Sequence, residues 1–362
     1  MSASADRWEH KMKSVARMAL EPGMVLGEDV ECQGKVLFPA GTEVNAAVID
    51  RLKRYSIICV TIKEDIDFAT THYEKIRFDE GFKSFRQKHA ENLIRYKHLI
   101  KSFVTEGIRI PDQELLAVYE EMASTYDSGT TLLDYLYNLV PNEDELTYTH
   151  CLNSALLGGT FADWMELNED DKKTLILSCF YYDIGKLKLP YELLWKSGKL
   201  SEEEYALVKK HPVIGYAILN NTSSVSQRVK NAVIMHHERM DGSGYPYHMK
   251  GAKIDVFARY VAIIDTYVAM ASPRSYRIAL TPLQILDNFR KNLTVYDTEI
   301  LLPLMKRIAD AQIGTTVQLS DDSVWDVFLI HSDSYSLPVL KNQADEIMDL
   351  RENPQLKIIK NL

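Results

Sequence analysis

The sequence predicts a mainly α protein: an all-helical bundle, preceded by a small β-rich module and followed by a β appendage. Three observations predict this. From 145 to about 310, apolar residues recur at helical spacing, and the breaks fall at LP, HP, DGSGYP, SPRS and TP. Residues 19–63 are instead short apolar runs bounded by PG and AG turns. After Gly314 the period drops to two, in TTVQLSD, SVWDVFLI and QLKIIKNL.

Taken in order, residues 1–15 read as a polar lead. ALEPGMVLGEDV, KVLFPAGTEV and IICVTI read as three strands, with a helix at AAVIDRLKRY. This gives a β-rich module over 1–65, open as a surface for a protein partner or as a plain structural cap. FKSFRQKHAENLIRYKHLIKSFV begins a helical region over 66–142, broken once at Ile110-Pro111. The main helical domain is placed at 143–312 and the β appendage at 313–362. Ser201 followed by Glu204 forms a capping box that opens one of its helices.

The bulk properties exclude several classes. A chain of 362 residues with net charge −9 and no block of lysine or arginine does not offer a surface for a nucleic acid polymer. An anionic substrate needs a local cluster of cations or metal. The absence of an 18-residue apolar run predicts no membrane span, and MSASADRWEHKMK lacks the apolar core of a secretory signal. The four cysteines are scattered without a CxxC pair, as expected of reduced thiols. A cytoplasmic location is expected.

Four of the ten histidines fall in the helical domain beside apolar runs: His150 in TYTHCLNSALL, His211 in VKKHPVIGYAIL, and His236-His237 in AVIMHHERMDGSGYP. Two aspartates share that setting, Asp183 in FYYDIGK and Asp265 in VAIIDTYVAM. A lone ionised carboxylate in an apolar stretch costs several kcal/mol or changes protonation. One such residue could be a hydrogen-bonded core group. The whole set is better explained by metal ions, and imidazole with carboxylate suits iron, manganese or zinc. Helical bundles build such sites from facing helices.

HHERMDGSGYP, with YDIGKLKLP upstream and DTYVAM downstream, resembles the HD-GYP domain, a branch of the HD phosphohydrolases that hydrolyses cyclic di-GMP. The similarity runs from about Glu145 to Arg290 and includes KxHPxxG and the R-x-Y-R string. It implies an HD-type bundle with two divalent ions, iron or manganese. By that resemblance Asp183 bridges the two ions; His150 and Asp265 serve the first, and His211, His236 and His237 the second. Asp183 and Lys186 become the catalytic pair. Lys186, Tyr245, Arg274 and Arg277 become the substrate contacts, and Gly244, Tyr245 and Pro246 the signature turn. The implied activity is hydrolysis of cyclic di-GMP to the linear dinucleotide pGpG.

Three positions depart from the family pattern. The histidine of HD is Tyr182 here, which weakens the first metal site unless Tyr182 itself ligates. Val268 stands where an aspartate is usual, and Leu146 where three-metal members carry a glutamate. Two readings therefore stay open: a phosphodiesterase of reduced activity, and a catalytically impaired cyclic di-GMP receptor. A scaffold with neither property is a weaker third.

Overall fold

The computed structural model describes residues 11–20, 24, 26–32, 35–40, 42, 44, 46–64, 76, 79–139, 145–194, 196, 199–221, 225–272 and 279–362. The N-terminal module is built on β1 (Lys11–Ala16), β2 (Val30–Cys32), β3 (Lys35–Phe38), α1 (Ala46–Arg54) and β4 (Cys59–Glu64). β1 pairs antiparallel with β4 from Lys11↔Glu64 to Ala16↔Cys59, and β2 pairs with β3 across a bulge. Val48 and Leu52 lie one turn apart on α1, and both enter a small core with Leu26, Val44, Val60 and Ile62. The sequence assigned most of β1 to a polar lead. Its strand character comes from the distant partner β4, which local polarity does not reveal.

The helical region holds α2 (Glu80–Glu106), α3 (Asp112–Ala123) and α4 (Gly129–Asn138). α2 starts where Asp79 accepts a hydrogen bond from the Phe82 amide, and ends at Gly107 with φ 72°. Its buried residues Phe82, Phe85, Tyr96, Ile100 and Phe103 keep the helical spacing that the sequence showed, and His89, whose polar neighbours suggested the surface, is buried with them. Pro111 precedes α3, as the Ile110-Pro111 break predicts.

The bundle follows: α5 (Leu146–Trp164), α6 (Glu169–Tyr181), a 3-10 turn (Ile184–Lys188), α7 (Tyr191–Leu194), α8 (Glu202–Val208), α9 (His211–Asn220), α10 (Gln227–Met235), α11 (Val256–Ala271), α12 (Pro282–Lys291) and α13 (Thr298–Asp310). The expected capping box of Ser201 and Glu204 opens α8. α5 is buried on every side from Thr149 to Ala162, which makes it the central helix. α6, α11 and α3 pack on it. α2, α3 and α4 share one apolar core with the bundle.

The C-terminal strands β5 (Thr316–Leu319), β6 (Val324–His331), β7 (Ser334–Lys341), β8 (Ile347–Asp349) and β9 (Ile358–Asn361) form an antiparallel sheet in the order β8-β7-β6-β5-β9. β7 packs on α12. The sequence marked β5, β6 and β9 but passed over β7, whose run is interrupted by Pro338. Among the described residues, no helix is long and apolar enough to cross a membrane.

Candidate metal centre

Five segments converge on one buried point. α6 ends at Tyr181, and the chain turns directly through Tyr182 and Asp183 into the 3-10 turn. The Lys186 amide donates to the Asp183 carbonyl, which closes that turn. His211 is the first residue of α9, with Pro212 next, where a missing N–H costs no helical bond. His236 caps the C-terminus of α10 and His237 follows it. His150 comes from α5 and Asp265 from mid-α11.

Close approach of the 3-10 turn to α9 depends on glycine. A Cβ at Gly185 would lie 1.9 Å from the His211 carbonyl oxygen, so no larger residue fits. A Cβ at Gly244 would lie 2.3 to 2.5 Å from backbone atoms of His237, Glu238 and Arg239. The second glycine thus lets the signature turn lie against the histidine pair, where the Tyr245 ring stacks on His237 with centroids 4.6 Å apart.

The donor atoms form two clusters that share Asp183. In one, the ligand atoms of Asp183, His211, His236 and His237 all lie within 4.8 Å of one another; in the other, those of His150, Asp183 and Asp265 do. In the first, His211 Nε2 is 3.2 Å and His236 Nε2 3.8 Å from Asp183 Oδ1. Each of these rings uses its other nitrogen on a carbonyl: His211 Nδ1 on Val208 and His236 Nδ1 on Val233, both at 2.7 Å. A carbonyl can only accept, so Nδ1 carries a proton in both rings, and in the Nδ1–H tautomer Nε2 is the bare nitrogen. The two Nε2 atoms are 3.2 Å apart, and Asp183 Oδ1 is buried without a hydrogen bond. Lone pairs facing a carboxylate repel unless a cation lies among them. The donor set therefore fits a divalent ion of the iron, manganese or zinc type.

Lys186 Nζ donates to Asp183 Oδ2 at 2.6 Å. Burial alone would raise the pKa of Asp183; the Lys186 charge, then His211, hold it well below the carboxylate range. For Lys186, burial opposes the charge, but Asp183 and Asp265 hold its pKa above the usual value. Burial, assisted by His211, pushes His236 down to about 3. Burial, assisted by His236, also lowers His237. Neutral imidazoles are the form that binds metal.

In the second cluster His150 Nε2 lies 2.8 Å from Asp265 Oδ1. The fully buried Tyr182 puts its hydroxyl 3.4 Å from the same oxygen and 3.0 Å from Ser154 Oγ. Burial, then the charges of Asp265 and Asp183, push the Tyr182 phenol well above its ordinary pKa.

All the metal-site residues expected from the sequence, with Lys186 and Tyr245, thus come together. Val268, the replaced aspartate position, is buried. Arg274 and Arg277 lie outside the described residues. Sequence reasoning gave no role to Glu238. It is buried and accepts from the Tyr247 amide at 2.6 Å and the Met249 amide at 3.0 Å, which braces the signature turn. No local signal pointed to it, since Glu238 lies in the polar string HHERMDGSGYP and its burial is decided by how the turn folds back.

An HD domain family profile matches residues 134–300. A cyclic di-GMP phosphodiesterase of Pseudomonas aeruginosa is 30% identical over 198 residues, 55% of this chain and 48% of the relative. A 3'3'-cGAMP-specific phosphodiesterase of Vibrio cholerae is 34% identical over 160 residues, 43% of this chain and 36% of the relative. The chain thus spans about half the length, or less, of these two relatives. Among solved structures, the HDG"Y"P protein Bd1817 of Bdellovibrio bacteriovorus shares the fold with a TM-score of 0.51 at 15% identity, covering 81% of this chain and 98% of the other. Residues 134–300 thus match the HD domain family, and the convergent histidine–carboxylate site and the HHERMDGSGYP turn both lie within that stretch.

Proposed function

We propose that this chain is a metal-dependent phosphodiesterase that opens cyclic di-GMP to the linear dinucleotide pGpG. The observation that carries the reading is the cluster of Asp183, His211, His236 and His237, with an unpartnered carboxylate oxygen facing two bare imidazole nitrogens and Lys186 on the other oxygen. A bound divalent ion, of the iron, manganese or zinc type by the donor set, would supply Lewis acidity and a nucleophilic water at neutral pH.

The rest is done by the chain itself. His211 and His236 are held by Val208 and Val233, so their rings need no reorientation to hold the ion. Lys186, half-buried beside Asp183, is positioned to offset charge on a phosphate oxygen, which an acidic chain would otherwise repel. Tyr245, stacked on His237, offers a ring edge to a guanine base or its ribose. Arg274 and Arg277 take the remaining phosphate in this reading. The relative named as 3'3'-cGAMP-specific supports the wider class of 3',3'-cyclic dinucleotides as substrates.

A second reading has its own observation. Tyr182, engaged with Asp265 and Ser154, stands where the family has a histidine. This favours a chain that binds the cyclic dinucleotide and hydrolyses it slowly or not at all. Anaerobic loading with Fe(II) or Mn(II), then chromatography of cyclic di-GMP, separates the two. Linear product that disappears in Asp183→Ala supports the hydrolase. Calorimetric binding without product supports the receptor, and neither binding nor product overturns both.

A further inference from the structure

The inference rests on the metal-site reading above and concerns how many ions the site holds. The two clusters that share Asp183 are unlike. Beside His211 and His236, Asp183 Oδ1 is buried without a hydrogen bond, and the two Nε2 atoms, each bare when its proton is on Nδ1, face one another at 3.2 Å. In the other cluster the atoms that would face an ion are already paired: His150 Nε2 with Asp265 Oδ1 at 2.8 Å, and the Tyr182 hydroxyl with that oxygen and with Ser154.

Ring support differs in the same way. A metal-bound histidine nearly always donates its other N–H to an oxygen. His211 and His236 do so, to Val208 and Val233. His150 Nδ1 is buried and has no partner. If His150 turned Nε2 to an ion, its proton would sit on Nδ1 as a buried, unsatisfied donor. With the proton on Nε2, shared with Asp265, Nδ1 is only a bare acceptor, which is the less costly state.

The Tyr182 ring occupies the space between the clusters, with centroids 5.9 Å from His150 and 5.0 Å from His236. An imidazole there would bring a lone pair. The phenol brings a hydrogen, directed at the Asp265 oxygen that a first ion would need. We propose that this chain holds a single divalent ion, on Asp183, His211, His236 and His237. The hydrogen-bonded trio of Tyr182, Asp265 and His150 stands in place of a second ion, and Tyr182 fixes the count.

The test is a count of metal per chain. Full-length protein is loaded anaerobically with Mn(II), desalted and analysed for metal by mass spectrometry, with circular dichroism to check folding. One ion is expected in the native chain, in Tyr182→Phe and in His150→Ala, none in His236→Ala, and two in Tyr182→His. Tyr182→Phe keeps the ring and so remains informative if the histidine variant misfolds. Iron-loaded, air-oxidised protein should show no visible phenolate-to-iron charge-transfer band. Two ions in the native chain or in Tyr182→Phe, loss of the ion in His150→Ala, a count still at one in folded Tyr182→His, or a phenolate band would each overturn the proposal. The count and the hydrolysis assay fail independently. One ion without turnover refutes the hydrolase and leaves the count standing; two ions with turnover does the reverse.

Discussion

Replacing Gly185 with alanine adds a single methyl group, yet the geometry predicts loss of the metal site. The new Cβ would lie 1.9 Å from the His211 carbonyl oxygen and 2.7 Å from the Gly215 amide nitrogen, both backbone atoms that cannot rotate aside. Ordinary contact begins near 3.4 Å, so the 3-10 turn must retreat from α9 by about 1.5 Å. That turn carries Asp183 and Lys186, and α9 begins with His211. The 3.2 Å separation of Asp183 Oδ1 and His211 Nε2 therefore widens by a similar amount. Metal ligands must be placed within about 0.2 Å. Overpacking typically costs about 1–3 kcal/mol, and the rigid neighbours put this case near the upper end. The assay is thermal unfolding with and without Mn(II). An ion at a hundred times its dissociation constant stabilises the native chain by about 2.7 kcal/mol. Gly185→Ala should melt lower and lose nearly all of that increment. Gly215→Ala is the control, since its Cβ meets the Val233 side chain at 3.0 Å and that side chain can shift. If Gly185→Ala keeps the full metal increment, the claim that this glycine sets the ligand geometry is wrong.

The other predictions concern neighbouring groups. Chelation by EDTA should lower the melting temperature of the native chain and leave His236→Ala unchanged; equal responses would exclude His236 as a ligand. Glu238→Ala strands the Tyr247 and Met249 amides, at about 1–3 kcal/mol for each orphaned donor. Limited proteolysis should then cut within 243–249, and an unchanged digest would refute the bracing role. His89, buried in α2 against Asn153, is pushed by burial from 6.5 down to about 4. The unfolded chain takes up that proton near pH 6.5 and the native chain does not until near pH 4. Stability is therefore lost as pH falls through that window, by about 3 kcal/mol in full. In metal-free buffer, His89→Gln should destabilise less than the native chain between pH 6.5 and 4; parallel pH profiles would refute this.

Much of the fold was legible because it is written in local patterns. The period of Phe82, Phe85, Tyr96, Ile100 and Phe103 is that of a helix, and Ser201 with Glu204 is a cap in sequence as in structure. What escaped was decided at a distance. Lys11–Ala16 is polar enough to read as a lead and is a strand only because β4 pairs with it. Ser334–Lys341 contains a proline and becomes a strand between β6 and β8.

The site was legible as a set of residue types and illegible in its hydrogen bonding. Buried His150, His211 and His236 look alike in sequence, each a histidine beside an apolar run. What separates them is the group on the second nitrogen: a carbonyl three residues earlier for His211 and His236, and none for His150. Those carbonyls belong to Val208 and Val233, residues with no chemistry of their own, placed three positions earlier by the turns that end in His211 and His236. Asp265 and Tyr182 are 83 residues apart in the chain and meet only because α6 and α11 pack together. Once they meet, the phenol gives a carboxylate oxygen a hydrogen where an imidazole would have given a metal a lone pair. The same spatial position can therefore take a ligand or a plug, and the direction of one hydrogen decides which.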